Sequence, residues 1–161
     1  MEFCNQIKVR GDVQMIIEHM CGRREVREFP NTIMTTGREA LAAAISNSFT
    51  GTYSLYVNRM IFGDAGTSGG GSNTKRVSAD RNGLFCGTPV ASKSVIAAID
   101  PNITTQVVFT SVLSTSDANG YALSEMALQM ANGDLYSMVT FPELNKTSDF
   151  QIIWNWRLSF I

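Results

Sequence analysis

Histidine is the side chain that most often moves protons near neutral pH, and this chain of 161 residues has one, His19. Any Ser-His-Asp or Cys-His machinery would therefore have to use it. His19 continues the alternating face of a predicted strand, where a structural histidine with satisfied hydrogen bonds is more common than a general base. We predict that His19 is structural and that the protein is not an enzyme.

The carboxylates that could work in pairs are scattered along the sequence. Asp64 and Asp80 flank a glycine-rich segment, Asp117 lies in a predicted turn, and Glu125 lies on a predicted strand. A glycosidase needs two carboxyl groups facing each other, and no spacing here indicates such a pair. We expect each of these residues to be a turn former or a solvated surface charge.

The three cysteines, Cys4, Cys21 and Cys86, are odd in number and form no C-x-x-C pair. This pattern disfavours both a disulfide framework and a zinc site. We predict free thiols in a reducing compartment, with no metal and no cofactor.

Residues 63–83 contain six of the thirteen glycines, together with Ser, Thr, Asn and Asp. A phosphate-binding P-loop needs lysine directly after its last glycine, but Gly71 is followed by Ser72-Asn73-Thr74-Lys75 and by no predicted helix. A loop this long inside a compact domain is usually functional. We predict an arm that contacts a neighbouring subunit, with these candidate interface residues: Gly63, Asp64, Gly66, Ser68, Gly70, Asn73, Lys75 and Arg76.

Arginines interleaved with glutamates follow the first predicted turn, in the order Arg23, Arg24, Glu25, Arg27 and Glu28. Because the charges nearly cancel, this cluster suits cross-strand or intersubunit ion pairs better than an anion site. Two of these arginines, with one from the last strand, complete the candidate interface: Arg23, Arg24 and Arg157.

The last predicted strand, FQIIWNWRLSFI, places a large apolar residue at every second position from Phe150 to Phe160. Such alternation is typical of a strand with one buried face. Trp154 and Trp156 are therefore predicted core residues, and the outward face presents these polar side chains: Gln151, Asn155 and Arg157. The tyrosines at positions 53, 56, 121 and 136 are compatible either with a sugar-binding surface or with packing.

The elements that must position these residues are mostly strands, about eight in number, around residues 6–10, 13–19, 25–29, 53–62, 89–99, 105–113, 121–141 and 150–160. One short packing helix is predicted over residues 37–48, begun by a capping box of Thr36 and Glu39 and ended by Gly51. Asn132-Gly133 predicts a type I′ hairpin in which Met126 faces Val139 and Met130 faces Leu135. We therefore expect a mainly β, antiparallel β-sandwich-like fold in a single domain over residues 1–161.

The composition is that of an ordinary globular protein, with 44% hydrophobic residues, 17% charged residues and a net charge of −1. It lacks the basic excess that phosphate contacts require, so a nucleic-acid partner is not expected. The opening MEFCNQIKVRG contains no long apolar run, and neither a signal peptide nor a membrane span is expected.

Four segments of the sequence resemble small bacteriophage virion proteins of the tail-fibre, collar and baseplate-associated type. They are residues 31–41, 61–67, 122–136 and the stretch from Lys146-Thr147 into the tryptophan-rich last strand. Ala127 stands where the family usually has glycine. The resemblance implies an oligomeric virion part, assembled in the host cytoplasm.

The leading hypothesis is therefore a non-enzymatic virion structural protein that contacts copies of itself and other virion proteins, in the tail, baseplate or fibre-attachment apparatus. A capsid decoration protein is the alternative within this class. A carbohydrate-binding module that contacts a surface glycan is the alternative from another class.

Overall fold

The computed structural model describes residues 8–46 and 55–161 of the chain. These residues form one α-helix and ten β-strands: β1 (Val9–His19), β2 (Arg24–Pro30), β3 (Thr32–Ile33), α1 (Thr35–Ser46), β4 (Val57–Gly63), β5 (Ala91–Ser94), β6 (Ile96–Ile99), β7 (Gln106–Leu113), β8 (Ala122–Met130), β9 (Leu135–Asn145) and β10 (Phe150–Phe160). The expected mainly β class with one helix is confirmed. In the described ranges, no helix has the length and apolar character needed to cross a membrane.

The strands form two antiparallel sheets of five, which pack face to face as a β-sandwich. Sheet A has the strand order β2-β1-β10-β7-β6, and sheet B has the order β3-β9-β8-β4-β5. The longest strands, β1, β8, β9 and β10, lie at or next to the sheet centres and supply most residues of the core.

The core between the sheets contains the tryptophans of β10, as predicted. Trp154 and Trp156 are both fully buried. The Trp154 ring lies 5.5 Å from the ring of Phe62 and 5.4 Å from that of Phe141, so β10 of sheet A contacts β4 and β9 of sheet B directly. Each such buried aromatic contributes roughly 1.5–3 kcal/mol.

On both sides of the sandwich one continuous chain segment passes from one sheet to the other. Strand β2 of sheet A leads through Asn31 into β3 of sheet B, and β5 of sheet B leads through Val95 into β6 of sheet A. The single strand predicted over residues 89–99 is therefore two short strands in different sheets. Alternation does not reveal this change, because a bend keeps a continuous strand-like pattern in the sequence.

The N-terminal strands and the helix start also differ from expectation. Residues predicted as two strands form the single strand β1, which continues through Gly11 opposite Leu158. The helix begins at Thr35, and the expected capping box is wrong, since the Thr36 hydroxyl donates to the Leu135 carbonyl of β9 (2.5 Å). Residues 47–54, which include the predicted helix end and Tyr53, lie outside the described ranges.

The β8–β9 hairpin is present, but its turn is not type I′. The Gly133 amide donates to the Met130 carbonyl (2.9 Å), and Gly133 has a positive φ of 95°. Asn132 does not have the positive φ that a type I′ turn requires, so the loop is a type I turn followed by a glycine bulge. Met126 faces Val139 as predicted, whereas the bulge places Gln129 opposite Leu135 and the expected Met130–Leu135 pair is wrong.

Candidate functional site

The long connection between β4 and β5 packs against the outer face of sheet B. Its base, residues 75–90, contributes Leu84 to a second small core, with Val77, Phe85 and Cys86 partly buried against it. The partners of Leu84 in this core come from β4, β8, β9 and the segment before α1: Met34, Ile61, Ala127, Leu135 and Met138. The chain itself therefore covers this face of sheet B.

Glu125 on β8 holds the loop onto that face. Its side chain is completely buried, and its carboxylate accepts hydrogen bonds from the backbone amides of Phe85 (2.7 Å), Cys86 (2.9 Å) and Ala65 (3.3 Å). Three donors satisfy a buried carboxylate that would otherwise be costly. The expectation that Glu125 is a solvated surface charge is wrong.

Burial, together with the neighbouring Glu125 carboxylate, raises the pKa of the Cys86 thiol to about 11. A thiol with this pKa is almost entirely protonated at neutral pH and is a weak nucleophile. Its hydrogen bond to the Thr88 carbonyl (3.2 Å) gives it a structural partner. Cys86 and the exposed Cys21 are free thiols, and Cys4 lies outside the described ranges.

Two of the predicted interface glycines instead pack inside the chain. A Cβ atom on Gly66 would collide with the Ser124 carbonyl, and one on Gly63 would lie 2.6 Å from Cys86 Sγ. The Gly66 amide also donates to Ser124 Oγ (2.8 Å). The loop therefore starts close against β8, rather than as an arm that leaves the domain.

The outermost part of the loop, residues 67–74, is a small exposed hairpin that we call the glycine tip. Thr67 and Thr74 form a bridge, and the Ser68 amide donates to the Asn73 carbonyl (2.8 Å). Three successive residues with positive φ make the turn: Gly69, Gly70 and Gly71. Ser68 and Asn73 are exposed there and Gly70 is half-buried, so these predicted interface residues do reach the surface.

One carboxylate of β9 attaches the glycine tip to the sandwich. Glu143 Oε1 accepts from the Thr67 hydroxyl (2.9 Å), and the Glu143 amide donates to the Gly71 carbonyl (2.9 Å). Hydrogen bonds from the Gly71 backbone and from Thr67 hold the pKa of Glu143 below its ordinary value of 4.5. The tip is therefore a defined structure on the domain surface.

Other polar residues of the loop line its outer side. Arg81 stacks on the Phe85 ring at 3.7 Å from its centroid, and Lys75 lies over the same ring at 5.0 Å. Arg76 and Asp64 are exposed. Of the predicted interface residues in this loop, Lys75 thus has an intramolecular partner, while Arg76 and Asp64 face solvent.

No described helix or other strand packs on the outer face of sheet A, which we call the open face. A hydrogen-bonded ladder crosses four strands of it: Gln14 donates to Glu28 (3.2 Å), Asn155 donates to Gln14 (3.3 Å), and Thr110 donates to Asn155 (3.0 Å). Beside the ladder runs a row of apolar side chains from the same four strands: Val26, Ile16, Ile153 and Val112. The polar side chains of the ladder are therefore paired with one another.

The predicted interface arginines are part of ion pairs in sheet A. Arg157 reaches Asp12 (2.8 Å) and Glu28 (3.2 Å), and Arg24 reaches Glu18 (3.8 Å). The Arg157–Asp12 and Arg24–Glu18 pairs join neighbouring strands, whereas the Arg157–Glu28 pair reaches across β1 from β10 to β2. Arg157 and Arg24 lie on the open face, whereas Arg23 lies in the β1–β2 turn and contacts Glu25 (3.0 Å).

His19 belongs to the same turn cluster. Its Nε2 lies 3.1 Å from Glu25 Oε1 and 3.1 Å from the Arg23 guanidinium. The hydrogen bond from His19, followed by that from Arg27, lowers the pKa of Glu25. The described ranges contain no group of three or more His, Cys, Asp and Glu side chains that could hold a metal ion.

The structure separates the tyrosines that it describes. Tyr136 is buried, and burial raises the pKa of its phenol. Tyr56 lies at one end of β8, where its carbonyl accepts a hydrogen bond from the Ala131 amide. Tyr121 precedes the other end of that strand, about 30 Å away. These three residues do not form one stacking platform.

A cleft of about 1130 Å³ lies between α1 and the ends of β1 and β10. Its charged lining residues are all cations: Lys8, Arg10 and Arg38. Apolar side chains, among them Ile33, Leu41 and Ile45, supply most of the rest. The described lining contains no Asp, Glu, His, Cys or Ser side chain, so it offers apolar surface and positive charge.

Sequence reasoning missed one further buried charge, Lys146. Its Nζ donates to Asn119 Oδ1 (3.0 Å) and to the Thr147 carbonyl (2.8 Å), and lies 5.2 Å from the Phe150 ring centroid. Burial lowers the pKa of this ammonium. The signal available in the sequence was its position between two strands, immediately before the turn into β10.

Comparisons of the chain with protein families, with curated proteins and with solved structures found no match.

Proposed function

We propose that this protein is a non-enzymatic structural subunit of a bacteriophage particle, which assembles with copies of itself and with other virion proteins. The open face and the glycine tip are its contact surfaces in this proposal. The observation that carries it is the asymmetry between the two sheets: the loop base covers sheet B, whereas no described helix or other strand packs on the outer face of sheet A.

The open face suits a protein neighbour because it is preorganised. Its ladder side chains are held by one another, so packing a neighbour on them requires little further ordering. The apolar row next to the ladder supplies surface whose burial is favourable through Val26 and Val112, which are 49% and 40% exposed, while Ile16 between them is already buried. A sheet face with a ladder of paired polar side chains beside an apolar row has the mixed composition of protein interfaces.

The segments that resemble phage virion proteins support the particle assignment. Residues 31–41, 61–67 and 122–136 lie in β3, α1, β4, the start of the loop and the β8–β9 hairpin. These three segments belong to the sheet B half of the sandwich, whereas the fourth, from Lys146 into the last strand, leads into β10 at the centre of sheet A. In this proposal that half is the scaffold, and the sheet A half carries the contact surface.

The buried charges support a structural role for the groups that could otherwise do chemistry. Glu125 accepts three backbone hydrogen bonds, and His19 pairs with Glu25. Cys86 has a raised pKa. Each of these side chains has a defined task in holding the fold.

A substitution on the open face tests the contact surface. We expect Val112→Lys to leave the melting temperature within a few degrees of the wild type, because the side chain is already partly exposed. Its incorporation into particles should fall, because the new ammonium would lose water on burial. The matched control is Ile45→Lys on α1, where Ile45 is 77% exposed and lies off this face. Normal incorporation of Val112→Lys would contradict the proposed contact.

Labelling of assembled particles tests the location. An antibody or gold label should appear on the tail, baseplate or fibre attachment. Label over the faces of the head would instead favour the capsid decoration protein, and absence from purified particles would remove the virion proposal.

A further inference from the structure

The two outer edges of sheet A are protected very differently. At one edge, β2 reads Arg24-Glu25-Val26-Arg27-Glu28-Phe29-Pro30, so charges and a proline occupy most positions. Such residues are the usual means by which proteins prevent edge strands from pairing with other chains. At the other edge, β6 reads Ile96-Ala97-Ala98-Ile99, with no charge and no proline, and all four residues are exposed.

The direction of the backbone groups of β6 follows from its neighbours. The Asp100 amide donates to the Gln106 carbonyl of β7 (2.9 Å), and the Val95 amide donates to Asn58 in sheet B (3.2 Å). Because backbone groups alternate along an antiparallel strand, those of Ile96 and Ala98 point to β7, and those of Ala97 and Ile99 point away from β7. In the described part of the chain, these last four N–H and C=O groups have no partner.

We infer that β6 pairs antiparallel with the β6 of a second copy of this chain. A two-fold axis through Ala98 puts Ala97 of each copy opposite Ile99 of the other, and the four groups from each copy, eight in all, then form four hydrogen bonds. Pairing Ile96 with Ile99 is excluded, because their backbone groups point in opposite directions. Alanine at the axis lets the two backbones approach without a side-chain collision.

The side chains around the edge favour a second copy as the partner. Ile96 is 75% exposed and Ile99 is 64% exposed, and Ile99 would cover Ala97 of the other copy. The two-fold axis stands perpendicular to the sheet, so the two open faces lie on the same side and form one ten-stranded surface. This inference concerns the edge and stands or falls separately from the contact surface proposed above.

Cysteine cross-linking of the full chain tests the register. In a Cys4→Ser, Cys21→Ser background, the two copies of Ala98→Cys would have Cα atoms about 4.5 Å apart, which suits a disulfide. The two copies of Ala97→Cys would lie about 8 Å apart diagonally, beyond a disulfide's span. We expect mild oxidation to give covalent dimers of Ala98→Cys and few or none of Ala97→Cys.

Light scattering of the uncross-linked protein gives a second readout. The wild type should show a mass of at least twice that of one chain, which is 17.6 kDa. Ile99→Lys should show about half of the wild-type mass, because a charge on the edge strand prevents pairing. The control Ile45→Lys should show the same mass as the wild type. If Ala98→Cys and Ala97→Cys cross-link equally, the proposed register is wrong. If neither variant cross-links while both keep the wild-type melting temperature, the inference itself is wrong. If cross-linking succeeds while Val112→Lys incorporates normally, the edge contact stands and the open-face contact falls.

Discussion

At the residue scale, some polar side chains that the alternation pattern predicts to be exposed are buried, and they help to hold the fold together. Glu125 lies on the face of β8 opposite the tryptophan core, where a strand pattern predicts solvent. It is buried because the loop base folds over it and supplies backbone amides. A sequence pattern identifies side-chain polarity but not the backbone donors of a distant segment, so this site could not be predicted.

Replacing Glu125 with Gln tests that attachment. The glutamine side chain keeps the shape of glutamate but has one acceptor oxygen. Its NH₂ group would face backbone N–H groups that donate to the carboxylate in the wild type. We expect a loss of about 2 kcal/mol of unfolding free energy. That corresponds to a melting temperature lower by roughly 6 °C.

Calorimetry of Glu125→Gln beside Glu39→Gln, an exposed glutamate on α1, provides the comparison. Equal melting temperatures for both variants would show that the Glu125 carboxylate does not hold the loop.

At the scale of elements, the strands with long alternation were predicted well and the connections were not. β10, β7, β2 and the β8–β9 hairpin follow from period two and from Asn132-Gly133. The sheet change at Val95 depends on packing between sheets, and the loop base depends on Leu84 finding a place beside Ile61 and Met138. Those contacts join segments far apart in sequence, which local patterns do not encode.

Shortening the glycine tip separates assembly from stability. Replacing residues 68–73 by Asn-Gly joins the bridged Thr67 and Thr74 through a two-residue turn. The change removes the Gly71–Glu143 backbone hydrogen bond, so we expect a loss of about 1 kcal/mol at most. Loop length itself contributes only about 0.6 kcal/mol per doubling.

Incorporation of this variant into particles should nevertheless fall if the proposal holds, because the proposed contact residues Ser68 and Asn73 are gone. Particle composition measured by quantitative gel densitometry checks this, with Gly83→Ala as the control, since a Cβ there meets no atom within 4 Å. Unchanged incorporation would show that the glycine tip only connects β4 to β5 and makes no contact needed in the particle.

At the scale of the whole molecule, the sheets share chain segments on both sides, through Asn31 and through Val95. Neither sheet can therefore separate without disturbing the edge of the other. The second core adds a third layer to this unit.

We expect unfolding in urea to be a single cooperative transition. Fluorescence of Trp154 and Trp156 reports the core between the sheets, and labelling of the Cys86 thiol, in a Cys4→Ser, Cys21→Ser background, reports the loop layer. The two midpoints should coincide. Exposure of Cys86 at clearly lower urea would show that the loop layer opens independently.

The pairing of β1 with β10 also decides how the subunit would bear a pulling force. Lys8 and Ile161 lie side by side, joined by two backbone hydrogen bonds of 2.7 and 2.8 Å, at one end of an antiparallel ladder. Tension applied between these two residues would unzip the ladder one pair at a time, which needs little force. In the proposed assembly, tension between open faces would instead act across the packed core that joins the two sheets, so Lys8 and Ile161 mark the end from which the sandwich would open most easily.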